Sequence, residues 1–105
     1  MKVVLSPLAL EELRDIRRRS RLDWGTAQST RYHQRIWSRL HQLEEHPYLG
    51  HVRSEFGDTR QLIVGHHLVL YRVEADRIVI QRIVHERMNV EIDDLESLSA
   101  ETEEV

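Results

Sequence analysis

The chain has no cysteine, so disulfides, thiolate zinc sites, iron–sulfur clusters and cysteine nucleophiles are all excluded. It has a single lysine, Lys2, against 14 arginines. Its cationic groups are therefore planar forks suited to carboxylates, phosphates and aromatic faces, although genomic base composition produces the same bias. Only 4 glycines and 2 prolines are present, and they build neither a Gly-rich phosphate loop nor a Ser-centred elbow. Nucleotide hydrolysis of the usual kind and triad chemistry are poor readings of such a chain. No apolar run approaches membrane-spanning length, and Pro7 breaks the first apolar run before a signal-peptide core forms. A cytoplasmic protein without membrane contact is expected. With 105 residues there is material for one core, not two.

What is present is charge, unevenly placed. Residues 1–87 hold all 15 bases and 11 acids, whereas residues 88–105 hold 7 acids and no base. A basic body with an acidic tail is therefore hidden inside a formal net charge of −3. Such a body suits an anionic or acidic partner.

Val3-Val4-Leu5 reads as a short strand, and Ser6-Pro7 supplies an N-cap followed by the ring that suits a first helical turn. Ala9, Leu13 and Ile16 recur at helical spacing, with Glu11 and Glu12 early and Arg17, Arg18 and Arg19 late, which predicts a helix over about residues 7–21. Gly25 permits a turn, and Thr26 is the expected cap of a second helix. There Tyr32, Ile36, Leu40 and Leu43 share one arc, while Trp37 points away from its centre, with His33 and His41 four residues to either side. His46-Pro47 ends that helix. After an irregular connector come three β-branched runs, Leu62–Val64, Leu68–Val73 and Ile78–Val84, spaced for antiparallel hairpins. One sheet face pairs Val69, Tyr71 and Val73 with Ile78 and Ile80, and the other pairs Leu68 and Leu70 with Val79 and Ile83. The second face needs a cover, from the connector, the tail or another chain.

Seven histidines invite a metal reading, but no carboxylate joins a suitably spaced pair, so no metal and no cofactor is expected. A cationic set remains on the sheet: Arg60 before the first hairpin strand, Arg72 and Arg82 within strands, and His85 and Arg87 just past the last strand. Arg82 interrupts an apolar run and must find a partner or a wet groove. The set suits a phosphate backbone or an acidic protein surface, and equally a group of surface ion pairs with Glu74, Asp76 and Glu86.

These residues resemble the ParE branch of the RelE/ParE toxins of type II toxin–antitoxin modules. Ser6-Pro7 with Leu13, Arg14-Asp15 and Ile16 is similar to the family's opening helix, and Trp24-Gly25 with Gln28 and Tyr32 to the start of its second, with Ser29 where Ala is usual. Glu45-His46-Pro47 with Gly50 matches the helix exit. Arg60, Gly65-x-His67, Tyr71-Arg72-Val73 and Arg82-Ile83-Val84-His85-x-x-Met88-Asn89 follow in order. Two departures stand out: Asp58-Thr59 replaces the usual Gly-Tyr, and an acidic tail extends past Asn89.

The resemblance implies an α+β fold, β-α-α-β-β-β, with an N-terminal helical hairpin packed on an antiparallel sheet. The toxin domain is then 1–89, and the acidic tail, 90–105, reads from its own residues as partly disordered or as a short docking helix through Ile92, Leu95 and Leu98. The implied activity is inhibition of DNA gyrase and so of replication and growth, with nucleic acid met only through the target, and neutralisation by a cognate antitoxin. Arg60, Arg72, Arg82, His85 and Arg87 are then the target-binding candidates. Trp37, His33, His41, Leu68, Leu70 and Ile83 are the antitoxin-binding candidates. A homodimer is left open, as is a degenerate member without toxicity. The alternative is a RelE-like ribosome-dependent mRNA endoribonuclease using His85, Arg82, Arg87 and Arg60. Against it, the lysines and late tyrosine of such nucleases have no counterpart, so a protein-binding inhibitor rather than an enzyme is expected.

Overall fold

The computed structural model describes residues 1–88 and 90, and the backbone of residues 103–104. Strand β1 (Lys2–Leu5) leads into α1 (Pro7–Trp24) and α2 (Thr26–Glu45). Then follow β2 (His51–Val52), a 3-10 turn (Ser54–Phe56), β3 (Arg60–Val64), β4 (His67–Val73) and β5 (Arg77–His85), with a two-residue β6 (Glu103–Glu104) last. The sheet order is β2-β3-β4-β5-β1-β6.

Ser6 caps α1 as its sequence context predicts, accepting from the Ala9 amide at 3.0 Å, and its hydroxyl also donates to the Gln81 carbonyl at 2.8 Å. The cap thus ties the helix start to β5. Helix α1 runs to Trp24, three residues past the expected end, because the break comes at Gly25. Gly25 closes α1 by donating to the Arg21 carbonyl and opens α2 by accepting from Ser29. At φ 85 it adopts a backbone that L side chains avoid. The cap of α2 is therefore Gly25 and not Thr26, which is the first helical residue.

Strands β3, β4 and β5 form the expected antiparallel hairpins. The sheet as a whole is mixed, because β1 pairs parallel with β5. A parallel pair needs a crossover. Here the whole span from Ser6 to Asp76 provides it, so no local signal carried the strand's direction. Val3 and Leu5 of β1, Ile78 and Ile80 of β5, and Ile36, Leu40 and Leu43 of α2 meet in the main core.

The predicted strand faces fail at one point. Between Leu70 and Tyr71 the pairing with β5 shifts, Leu70 opposing Arg82 and Tyr71 opposing Ile80, which leaves Gln81 as an extra bulge residue. The bulge reverses the alternation, so Ile83 joins the helix-side core with Val69 instead of Leu68 and Leu70. On the opposite face Leu70 and Val84 are covered by Phe56 of the connector and by Val90. Among the described residues the cover thus comes from the connector and from Val90.

Residues 103–104, expected to lack order, pair antiparallel with β1. Asn89, Ile92, Leu95 and Leu98 lie outside the described residues. Among the described residues no helix is long and apolar enough to cross a membrane.

Candidate functional site

A groove of about 870 Å³ runs between the second half of α1 and the end of β5. Trp24, Tyr32, His66, His67, His85 and Arg87 line its polar and aromatic wall. The hairpin Gly65-His66 builds that wall. Gly65 has φ 58, and a Cβ there would lie 2.6 Å from the Tyr32 ring, so both conformation and space demand glycine.

The close approach delivers the Tyr32 hydroxyl to three partners: the Val64 carbonyl at 3.1 Å, His67 Nδ1 at 2.6 Å and the His66 amide at 3.2 Å. One hydroxyl proton satisfies all three only if Tyr32 donates to Val64 while the His66 amide and His67 Nδ1–H donate to Tyr32. The network thereby assigns His67 the Nδ1–H tautomer and leaves Nε2 with the lone pair. Burial raises the Tyr32 pKa, so the hydroxyl keeps its proton.

Burial, then the neighbouring His85 and His66, lower the His67 pKa from 6.5 to about 4. The His66 ring stacks on His85 at 6.4 Å, and His67 meets His85 edge-on at 5.5 Å. The unfolded chain binds the His67 proton first as pH falls, so this contribution to stability is intact above about pH 6.5 and is lost between 6.5 and about 4. His67 is only half-buried, and solvent screening limits the loss to roughly 1–2 kcal/mol. Urea unfolding at pH 7.5 and pH 5.0 should show a steeper acid loss in the native chain than in His67→Gln. Equal losses would refute the assignment.

Trp24 adds an edge-on contact to Tyr32 at 6.0 Å and is about half exposed, as is Met88, while Leu22 is 82% exposed. Rings, exposed apolar side chains and arginines in an open groove provide recognition surface. The one hydroxyl that contacts His67 among the described interactions is that of Tyr32, and the described residues contain no group of three or more side chains that could hold a metal ion.

The structure separates the predicted cationic set. Arg60 stands over the Tyr48 ring at 4.9 Å and donates to the Gly50 carbonyl at 2.8 Å, clamping the loop after α2. Arg72 is ion-paired with Glu74 at 2.7 Å. Arg82 is nearly buried and paired with Glu12 of α1 at 2.8 Å, the same carboxylate accepting from the Ile83 amide at 3.1 Å. Only His85 and Arg87 reach the groove wall exposed. Arg60 pairs across from Tyr71 and His85 across from His67, four residues apart on β4, or roughly 13 Å along the strand.

The candidates for antitoxin contact divide as well. Trp37 packs half-buried against the core rather than standing free, and its indole donates to His33 Nε2 at 2.7 Å. Burial and Arg17 hold the His33 pKa down. His41 flanks Trp37 on the other side at 6.0 Å and contacts Glu44 at 2.9 Å. Leu70 and Ile83 are buried on opposite sheet faces, and Leu68 is half-buried beside Leu70. Of these six, the helix α2 trio forms a surface and the sheet trio does not. The Tyr32–His67 pair is not among the residues singled out from the sequence, although the hairpin glycine followed by two histidines is a usable signal.

A family model described as ParE toxin of the type II toxin–antitoxin system, parDE, matches residues 3–90. Among solved structures, a chain of the chromosomal ParDE toxin–antitoxin system from P. aeruginosa is similar, with a TM-score of 0.72 at 23% identity. That likeness covers 81% of this chain and 95% of the other. A search of curated protein sequences finds no match.

Proposed function

From the premise that this chain belongs to the ParE toxin family of type II toxin–antitoxin systems, we propose that it acts inside the cell by inhibiting DNA gyrase. A cognate antitoxin holds it inactive. The family match over residues 3–90 carries this reading. The geometry supports a binding protein over a nuclease. Ribose 2′-OH attack needs a proton acceptor and cations converging on one phosphate. Here Arg82 is engaged with Glu12, Arg60 clamps a loop, and the last tyrosine, Tyr71, is buried with its hydroxyl bonded to Gly50 and Pro47. Of the residues suggested for that chemistry, only His85 and Arg87 line the groove.

The target surface favoured is the groove with His85, Arg87 and Trp24, where apolar and cationic groups lie exposed together. The antitoxin surface favoured is the face of α2 carrying His33, Trp37 and His41. Purified chain should abolish gyrase supercoiling with accumulation of cleaved DNA and leave cell-free translation intact. Blocked translation with normal supercoiling would replace this reading with the nuclease one.

A further inference from the structure

Between residues 14 and 39 the helical hairpin carries eight arginines and only two acids, Asp15 and Asp23. Asp15 is committed to Arg18. Three of the remaining arginines form one stripe. At about 100° per residue, Arg14, Arg17 and Arg21 fall within about 60° of arc on α1, off the line of Ala9, Leu13 and Ser20 that the helix buries. All three are exposed. Among the described residues none of their guanidinium groups is held in an ion pair or a hydrogen bond. The Ser29 hydroxyl of α2 donates to the Arg17 carbonyl at 3.0 Å, and burial and then the Arg17 charge lower the His33 pKa, so the stripe runs beside α2. Thr30 and Gln34 of α2 are exposed there as further uncharged donors.

The centre of a protein–protein interface is depleted of charge and built on aromatic and apolar anchors. The stripe is the reverse, and polar, strongly cationic contact is the character of protein–DNA interfaces. Arg14 and Arg21 stand roughly 10 Å apart along the helix, the axial rise of about three phosphates on one strand of B-DNA. Single strands are held by stacking on rings. No ring belongs to the stripe, and His33 and Trp37 beside it are bonded to each other at 2.7 Å. The backbone of a duplex is therefore the fitting polyanion. The formal charge of −3 on the whole chain does not oppose it, because charges more than about 10 Å away are screened.

We propose that the Arg14–Arg17–Arg21 face of α1 binds the phosphate backbone of duplex DNA without base preference. The chain then meets nucleic acid directly, where the resemblance led us to expect contact only through the target. This binding stands apart from the gyrase reading. Where that reading holds, the face gives the chain a second grip on a gyrase–DNA assembly.

Fluorescence anisotropy of a labelled duplex, with the full chain and salt raised from roughly 50 to 200 mM, tests the face. Native affinity should fall steeply with salt. The triple variant Arg14→Gln, Arg17→Gln, Arg21→Gln should bind at least tenfold more weakly, with a log–log salt slope shallower by about 2–3. Lysine at the same three positions keeps the charge and should hold affinity within about threefold. Arg31→Gln, Arg35→Gln, Arg39→Gln removes equal charge from α2 and should also stay within about threefold. Absence of native binding, or equal losses in the two glutamine triples, would overturn the site. Tighter binding of the single strand would overturn the duplex preference, and displacement of the duplex by polyglutamate at equal charge would give the face to an acidic protein instead. No gyrase is present in these titrations, so normal supercoiling beside intact duplex binding would remove the gyrase reading alone.

Discussion

Glu12→Ala should lower stability by about 3 kcal/mol, because it removes the carboxylate that pairs the largely buried Arg82 guanidinium and also accepts from the Ile83 amide. Glu12 and Arg82 side chains are 13% and 11% exposed, and their contact is 2.8 Å. The carboxylate also accepts from the Ile83 amide at 3.1 Å. Helix α1 is therefore bolted to β5 at the residue just past the bulge. In a domain of this size the loss is a large share of the whole, and the melting temperature should fall by roughly 12 °C or more. Replacing both partners, Glu12→Leu with Arg82→Met, removes the buried charge along with its counterion. It should recover part of the loss, leaving about 1–2 kcal/mol for the unpaired Ile83 amide and the other contacts that Arg82 makes. Circular-dichroism melts of the three chains decide the matter. A single variant that melts like the native chain would show the pair to be solvated.

Gly50→Ala should cost about 2–4 kcal/mol for a different reason, the absence of space. A Cβ at Gly50 would lie 2.7 Å from the Gln61 carbonyl oxygen and 2.8 Å from the Tyr71 ring. Neither can yield: the first is backbone in β3, and Tyr71 is wholly buried. The Tyr71 hydroxyl accepts from the Gly50 amide at 2.7 Å and donates to the Pro47 carbonyl at 2.9 Å, so displacing the ring breaks both bonds. Gly57→Ala is the control. Nothing lies within 4 Å of its Cβ position, so the cost there is only that of its backbone, φ 73 and ψ −121, about 1–3 kcal/mol. Urea titrations should therefore place Gly50→Ala below Gly57→Ala in midpoint. The reverse order would mean that the Pro47–Gly50 loop moves aside freely.

Both effects depend on contacts between residues far apart in the chain, and this is where reading the sequence stopped. The isolated arginine in an apolar run was visible as a residue in need of a partner. Its choice of Glu12, 70 residues away, was not. The separation of inward from outward residues on β5 held as far as Ile80 and failed at Ile83, because Gln81 adds one residue to a period-two pattern that carries no mark of it. Arg60, read as a contact for a target, is a clamp on the loop its own domain makes after α2. Trp37, which helical spacing turns away from the centre of the apolar arc, still leans on the core because the apolar arc of α2 is wider than its central stripe.

What the sequence by itself determined is whatever rests on local spacing and residue chemistry. Helical period, the Ser6 cap, glycine and proline breaks, three closely spaced β-branched runs and ordered short motifs were enough for two helices followed by hairpins and for the family. The exclusion of thiol chemistry came with them. Only the tertiary structure decided the parallel docking of β1, the bulge, the Glu12–Arg82 bolt, the Tyr32–His67 network and the pairing of residues 103–104 with the sheet edge. Each of these is a contact across tens of residues, whose energy comes from burying and pairing polar groups in one particular geometry. Local propensity contains no term for that geometry.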